Sequence, residues 1–318
     1  MVNEDRYVLI VGSPRSGTSL LRRVLSQSGA VCGHPLEPQY ILDLHERFGF
    51  TITDVAGALD ELVSHRMFPA ELINATILRN RLGGRTSMDL SEFLAVCYRV
   101  MRGDSDQTVL LKHPTLVLHP DVMQRLFPKL RIIQCVRDPR ANILSRRTRW
   151  PATNVWTAAT RWSESIHAGR RFHTDSGTPY IETRYEDLLM SPERTCRTLC
   201  DFLEIPFEPA MLVVDYAMDE FDPGKPGVSD KHHFRSFEAQ RIDKWRQFLE
   251  PAEVKLIETR CREGMELFGY APTAPRVNPL EYYGYYLPER GRALVKATRR
   301  TLRRYRMRSA WRSFASSV

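Results

Sequence analysis

Residues 8–21, Val-Leu-Ile-Val-Gly-Ser-Pro-Arg-Ser-Gly-Thr-Ser-Leu-Leu, constrain the fold more than any other stretch of the chain. Four apolar, β-prone residues run into Gly12, and Gly17 opens an apolar pattern of helical period. A strand, a tight loop and a helix in such quick succession specify the start of a βα unit in a parallel sheet. The interval from Gly12 to Gly17 is the Gly-x4-Gly of a phosphate loop, whose backbone N–H groups converge on an anion at a helix N-terminus. Thr18 stands where a nucleotide kinase loop carries lysine, Ser19 holds the hydroxyl position, and the cation has moved inside the loop to Arg15. Such a loop still cradles phosphate but fits a γ-phosphate poorly. It points away from ATP and toward a different phosphate donor.

Further strand-like runs at Val109–Leu111, Arg131–Val136 and Pro179–Thr183 alternate with helical patterns at Thr18–Gln27, Pro139–Arg147, Val155–Phe172 and from Pro192. This alternation predicts a three-layer α/β/α fold with a central, mostly parallel sheet. Roughly a hundred residues separate the first strand from the second, too many for a simple crossover. Helical periodicity at Asp54–Leu78 and Ser91–Met101 makes this span, residues 38–107, an inserted helical lobe, expected with Trp156 and Trp162 to line a binding pocket. Phe237–Phe248 and Pro251–Leu267 read as two more amphipathic helices, the second opened by its proline.

Charge is unevenly spread. The chain of 318 residues carries a net charge of +8, yet residues 290–318 hold ten Lys or Arg and no Asp or Glu. Residues 1–289 carry 36 basic and 38 acidic residues, so the body is nearly neutral and a nucleic-acid-binding body is not indicated. The expected organisation is a domain over residues 1–275 and a basic extension over 276–318. The first residues lack the pattern of a signal peptide, and no apolar run reaches the length of a membrane span. Six scattered cysteines, none paired at zinc-ligand spacing, suit a reducing compartment. The expected location is the cytoplasm.

Ligands of a parallel sheet lie beyond the carboxyl ends of its strands. The first predicted strand leads to Ser13 and Arg15, the second ends in Lys112, the third leads to Arg137, and the fourth is closely followed by Tyr185. Three cations and an aromatic ring at one edge suit an adenine nucleotide with two phosphate clusters. Asp138 is a helix N-cap and Pro139 a first helical residue, so Arg137 stands where a guanidinium grips phosphate bidentately, with the Ser145 hydroxyl two turns on.

These segments resemble the sulfotransferases that use phosphoadenosine phosphosulfate (PAPS). Residues 14–21 are similar to that family's loop for the 5′-phosphosulfate. Val136-Arg137-Asp138-Pro139-Arg140 with Ser145 is similar to its 3′-phosphate element, and Lys112-His113-Pro114 to its Lys-x-Pro motif. Arg184-Tyr185-Glu186-Asp187-Leu188-Leu189 resembles its Tyr-Glu-Asp segment, and Trp245 with Cys261–Tyr270 resembles the ending of bacterial and Golgi-type members. The resemblance, over about residues 6–270, implies a fold related to the nucleotide kinases. It also implies metal-free sulfuryl transfer from PAPS to an acceptor on a carbohydrate, glycolipid or lipid-like small molecule. No acidic Walker B run or His/Cys cluster stands against a metal-free reaction. Arg15, Ser16, Gly17, Thr18 and Ser19 would hold the 5′-phosphosulfate, Arg137 and Ser145 the 3′-phosphate, and Tyr185 would lie near adenine. Lys112 and Arg15 would meet the charge of the leaving group.

Glu37, in Cys-Gly-His-Pro-Leu-Glu-Pro, is the expected base, since it follows the first helix and resembles the glutamate of sugar and tyrosyl-protein sulfotransferases. His113 is its rival, although cytosolic members place their histidine two residues after the lysine and a one-residue shift in a strand reverses its face. His34 is a third candidate, expected as a substrate contact. In the late loop Asp222–Phe234 and just beyond it, Lys231 and Arg235 are candidates to close over the 3′-phosphate. The basic tail, with Leu294, Leu302, Trp311 and Phe314, suits an anionic membrane surface, an anionic acceptor or a solvated extension packed through Trp311. Two other classes remain open: a phosphotransferase using ATP, and a membrane-associated nucleotide-binding protein without catalysis.

Overall fold

All five residues of the first apolar run are buried, as a strand covered on both faces requires. This strand, β1 (Tyr7–Val11), lies at the centre of a five-stranded sheet with β2 (Val31–Gly33), β5 (Thr108–Lys112), β6 (Leu130–Val136) and β7 (Tyr180–Arg184). The order is β2-β5-β1-β6-β7, and every pairing is parallel. Two short hairpins pair β3 (Thr51–Ile52) with β4 (Met88–Asp89) and β8 (Tyr216–Asp219) with β9 (Lys231–Phe234). The computed structural model describes residues 5–213, 216–219, 231–234, 237–295 and 298, with only the backbone given for 216–219 and 231–234.

The helices of the sequence reading recur as α1 (Thr18–Leu25), α7 (Pro139–Arg149), α8 (Val155–Ser176) and α10 (Pro192–Leu203), with a short α9 (Tyr185–Met190) after β7. The inserted span is helical, as expected: α2 (Tyr40–Phe48), α3 (Val55–Ser64), α4 (Ala75–Leu82) and α5 (Leu90–Met101), followed by α6 (Pro120–Leu126) before β6. The periodicity at Asp54–Leu78 is two helices and not one, because Pro69 lies between α3 and a fresh N-cap at Asn74. The helical span shares one core with the sheet. Tyr7, Leu9 and Val11 on one face of β1 join Tyr40, Leu44, Leu59, Phe93, Tyr98 and Phe127 in a single apolar cluster.

β2 escaped the sequence reading. Three residues show no alternation, and the strand exists because its backbone pairs with β5, Val31 opposite Thr108 and Gly33 opposite Leu110. The gap before the second strand of the sequence reading is therefore interrupted early. Phe237–Phe248 is not one helix: a single 3-10 turn, Ala239–Arg241, precedes α11 (Trp245–Phe248). Pro251–Leu267 divides at Cys261 into α12 (Pro251–Arg260) and α13 (Arg262–Leu267), where the Cys261 thiol donates to the Ala159 carbonyl at 3.5 Å.

The chain divides into two compact units, one of residues 1–137 and 165–241 and one of residues 138–164 and 242–318. The second unit is tied by a buried ionic knot. The Arg140 side chain is 3% exposed and donates twice to Asp138 (3.0 and 2.7 Å), to Glu258 (2.7 Å) and to the Ala271 carbonyl (3.0 Å). The Arg140 guanidinium also lies 4.2 Å above the Trp245 ring. Glu258 in turn accepts from Thr273 and from the Ala274 N–H. A further helix, α14 (279–295), packs in this unit: Tyr285 donates to Glu253 at 2.9 Å, and Glu289 accepts the Val155 N–H at 2.7 Å at the start of α8. Trp162 is buried, and the Trp156 ring meets Tyr286 edge-on at 5.2 Å and carries Arg260 over it at 4.2 Å. Trp156 is thus engaged within this unit by Tyr286 and Arg260. All six cysteines are free thiols, five of them buried and Cys32 half-buried.

Candidate active site

Strand register sets the site. Ile10 pairs with Lys112, Val11 with Gln134, and Val136 with Arg184. The loop after β1, the end of β5, and Arg137 and Tyr185 just beyond β6 and β7 therefore emerge along one carboxyl edge of the sheet, as the sequence led one to expect.

The loop is shaped by its glycines. Gly12 has φ +151°, and a Cβ there would lie 2.4 Å from the Cys135 carbonyl oxygen. Gly17 has φ +94°, and its Cβ would lie 2.4 Å from the Tyr185 ring. Neither position admits a side chain without displacing backbone or a buried ring. Between them Arg15 adopts φ +76°, a left-handed conformation that costs a residue with a Cβ about 1 kcal/mol or more. The Ser16 N–H donates to the Ser13 carbonyl at 3.0 Å, and the Cys135 thiol donates to the Ser16 carbonyl at 2.9 Å. The loop ends at Gly17, the N-cap of α1, so the free N–H groups of the first turn of α1 adjoin it. Ser16 is buried, whereas Thr18 and Ser19 are half-exposed on that turn.

Lys112 joins three segments. Its ammonium donates to a Glu37 carboxylate oxygen at 2.7 Å and to the Ser19 hydroxyl at 3.4 Å. The Lys112 side chain is 13% exposed and that of Glu37 is 41%, so the cation is sheathed while the carboxylate faces outward. Glu37 stands on a turn that leaves β2. His34 holds this turn: its N–H donates to the Leu110 carbonyl (2.8 Å), its carbonyl accepts from Arg22 (2.6 Å), and its Nδ1 lies 2.8 Å from the Leu36 carbonyl and 3.2 Å from the Leu36 N–H. His34 Nε2 lies 2.9 Å from the Tyr40 hydroxyl, which donates onward to Tyr98 at 3.1 Å. His34 is fully buried, and burial holds its pKa down at about 4. It is therefore a neutral, buried support of the Glu37 turn. Arg22, Tyr40 and Tyr98, which complete this support, were missed by sequence reasoning. No local pattern marks them, because their roles depend on pairing between distant segments.

His113 is 5% exposed, and its Nδ1 accepts from the Thr115 N–H at 3.2 Å. Burial lowers its pKa to about 4. It sits as a packed neutral ring just beyond β5.

The Arg137 guanidinium donates to the Arg15 carbonyl and to the Arg241 carbonyl, both at 3.2 Å, and lies 4.3 Å over the Tyr185 ring. Tyr185 is 4% exposed, and burial raises its phenol. Arg137 and Tyr185 thus back the loop directly, one through a carbonyl and the other against Gly17. Ser145 belongs to the second unit, half-buried on α7, whose first turn is capped by the Asp138 carboxylate accepting the Arg140 N–H at 2.8 Å. Lys231 begins β9, where only the backbone is described, and Arg235 lies outside the described residues. Among the described residues, no group of three or more His, Cys, Asp or Glu is placed to hold a metal ion, and no helix is long and apolar enough to cross a membrane.

A family model described as the sulfotransferase family matches residues 8–209. Protein-tyrosine sulfotransferase 1 of Danio rerio is 25% identical over 226 residues, covering 66% of this chain and 56% of the relative. Carbohydrate sulfotransferase 3 of Tetronarce californica is 26% identical over 165 residues, covering 44% and 36%. The chain thus spans about half the length, or less, of these two curated relatives. Among solved structures, the sulfotransferase domain of the Synechococcus PCC 7002 olefin synthase superposes with a TM-score of 0.56 at 22% identity, covering 80% of this chain and 94% of that one. The sulfotransferase domain from the curacin biosynthetic pathway gives a TM-score of 0.54 at 19% identity, covering 81% and 98%. These two likenesses bear on the fold alone.

Proposed function

The chain belongs to the sulfotransferase family, and from that premise we propose that it moves a sulfuryl group from PAPS to a hydroxyl of a carbohydrate, glycolipid or lipid-like small molecule. The observation that carries this reading is the junction of Lys112 with Glu37 and Ser19, beside a glycine-shaped loop at a helix N-terminus. The residues fit such a donor. The loop leaves no room for a Cβ at Gly12 or Gly17, as a backbone cradle for phosphate oxygens requires, and Arg15, Lys112 and Arg137 supply positive charge along the same edge. The relatives' names, which specify tyrosine and carbohydrate acceptors, support a hydroxyl as nucleophile.

The donor supplies a sulfuryl group already activated by its link to phosphate. Glu37, the more exposed member of the pair, takes the proton of the acceptor hydroxyl as its oxygen bonds to sulfur. Lys112 and the N–H groups of Gly17, Thr18 and Ser19 receive the charge left on the phosphate oxygen when its bond to sulfur breaks. Arg15 and the hydroxyls of Ser16, Thr18 and Ser19 hold the 5′ end. Arg137 binds the 3′-phosphate, and Tyr185 borders the adenine. Motif order alone assigns Ser145, Lys231 and Arg235 to the donor. The preferred site of action is the cytoplasm.

The test is a thermal-shift comparison of 3′,5′-phosphoadenosine phosphate, AMP and ATP with Mg²⁺, on the wild type and on Glu37→Gln. Ligand that binds the folded state raises the melting temperature in proportion to the logarithm of its excess over Kd. Both proteins should be stabilised by the 3′,5′-bisphosphate alone, while Glu37→Gln loses about 100-fold or more in sulfuryl transfer. A shift with ATP–Mg²⁺ instead overturns the donor, and full turnover by Glu37→Gln overturns the base.

A further inference from the structure

Helix α14 is built the wrong way round for a solvated surface helix. Its inner face carries the polar and aromatic groups that tie it down, Tyr282, Tyr285, Tyr286 and Glu289. Its exposed side carries an apolar stripe flanked by Glu281, Pro288, Arg290 and Arg292. Leu280 is 84% exposed, Tyr283 55%, Leu287 59%, Leu294 60% and Val295 53%. Spacings of three, four and seven place these residues, with Gly284 and Gly291, on one stripe of the helix. A surface helix ordinarily turns charge outward, and a continuous exposed apolar stripe marks an interaction surface.

Charge identifies the occupant. The stripe runs directly into the most basic part of the chain, in which residues 290–318 carry ten cations and no acid. Arg290 flanks the stripe on α14 itself and is exposed, with its guanidinium 5.8 Å from the Trp156 ring. A second copy of the chain seated on this stripe would bring two such cationic segments together. An anionic bilayer neutralises them and takes up the leucines at once. Each cation near such a surface contributes about 1 kcal/mol, and neither acyl-depth leucines nor cations alone make a stable peripheral contact. We propose that α14 seats this protein on an anionic lipid surface, with Leu280, Tyr283, Leu287 and Leu294 inserted at the level of the headgroups and the cations of the sequence from Arg290 onward adding attraction. The enzyme would then work beside the bilayer, where acceptors with lipid tails are concentrated. The seat itself rests on the stripe and the charge, independently of the sulfotransferase reading.

The test is flotation of the full chain with vesicles of phosphatidylcholine, with and without phosphatidylglycerol. Recovery should require phosphatidylglycerol and fall as salt is raised, and Leu287→Glu should weaken partition about ten-fold or more. Leu287 lies outside the catalytic machinery, so the thermal shift with 3′,5′-phosphoadenosine phosphate should be unchanged in this variant. That control separates failure of the seat from failure of the donor site. Equal recovery with neutral vesicles, or none with either, overturns the proposal. So does wild-type partition by Leu287→Glu, which would leave the cations acting without the stripe. Sedimentation that shows a dimer abolished by Leu287→Glu would assign the stripe to a second copy and overturn it as well.

Discussion

At Gly17 a single added carbon has two separate costs. In Gly17→Ala the new Cβ meets the Tyr185 ring at 2.4 Å, and the backbone stays in the left-handed region at φ +94°. The substitution should lower stability by roughly 2 kcal/mol or more and weaken bisphosphate binding. Shortening the ring in Gly17→Ala/Tyr185→Ala relieves the collision but not the dihedral strain. Urea unfolding should therefore give a double mutant less unstable than the sum of the singles. Two buried histidines make a second prediction at this scale. His34 and His113 titrate near 4 in the folded chain and near 6.5 when unfolded. The unfolded state thus binds more protons between these values, so stability is full above about pH 6.5 and is lost as pH falls toward 4. The loss is on the order of 3 kcal/mol for each ring, and His113→Gln should flatten the slope of stability against pH measured from 7 to 5. The motifs named Lys112 and Glu37 separately, but their contact was not legible. The pair is 75 residues apart in sequence, and β2, the strand that brings them together, is too short to show a period.

Elements were legible where their ends carry chemistry. Pro139 after Asp138, and Pro192 after Ser191, set the starts of α7 and α10 where the sequence put them. Elements whose limits are set by tertiary contacts were not. β2 depends on its ladder with β5, and α12 stops at a cysteine whose thiol bonds to a carbonyl in another helix. The Arg140 knot belongs to this class. The motif Arg-Asp-Pro-Arg was read for its first arginine, while the second, 3% exposed, holds two buried carboxylates. Arg140→Met leaves Asp138 and Glu258 buried without their cation. It should cost about 3–5 kcal/mol in urea unfolding, and a loss under 1 kcal/mol would mean that water or a neighbour replaces the guanidinium.

Over the whole molecule, the parallel sheet and the carboxyl edge that gathers the candidate site followed from alternation of strand and helix, because local pattern sets connectivity and connectivity sets the edge. The division into two units did not follow. Each unit is made of two separated pieces of chain, and no shift of composition accompanies residue 137 or 242. Charge was legible at this scale and structure completed its meaning. A body of 36 basic and 38 acidic residues has little long-range attraction for an anionic surface, so any such attraction comes from the segment that begins at Arg290, within α14. The vesicle experiment therefore concerns the whole chain and not the site.

Burial of the thiols has a practical consequence. Of six free cysteines five are inaccessible, and burial raises every one of them, Cys200 to about 11 and Cys196 and Cys261 to about 12. Thiolate is the form that alkylating and fluorescent reagents attack. At neutral pH the native chain is thus nearly silent toward them. One cysteine placed by design on an exposed turn becomes its only bright position, with none of the native six removed.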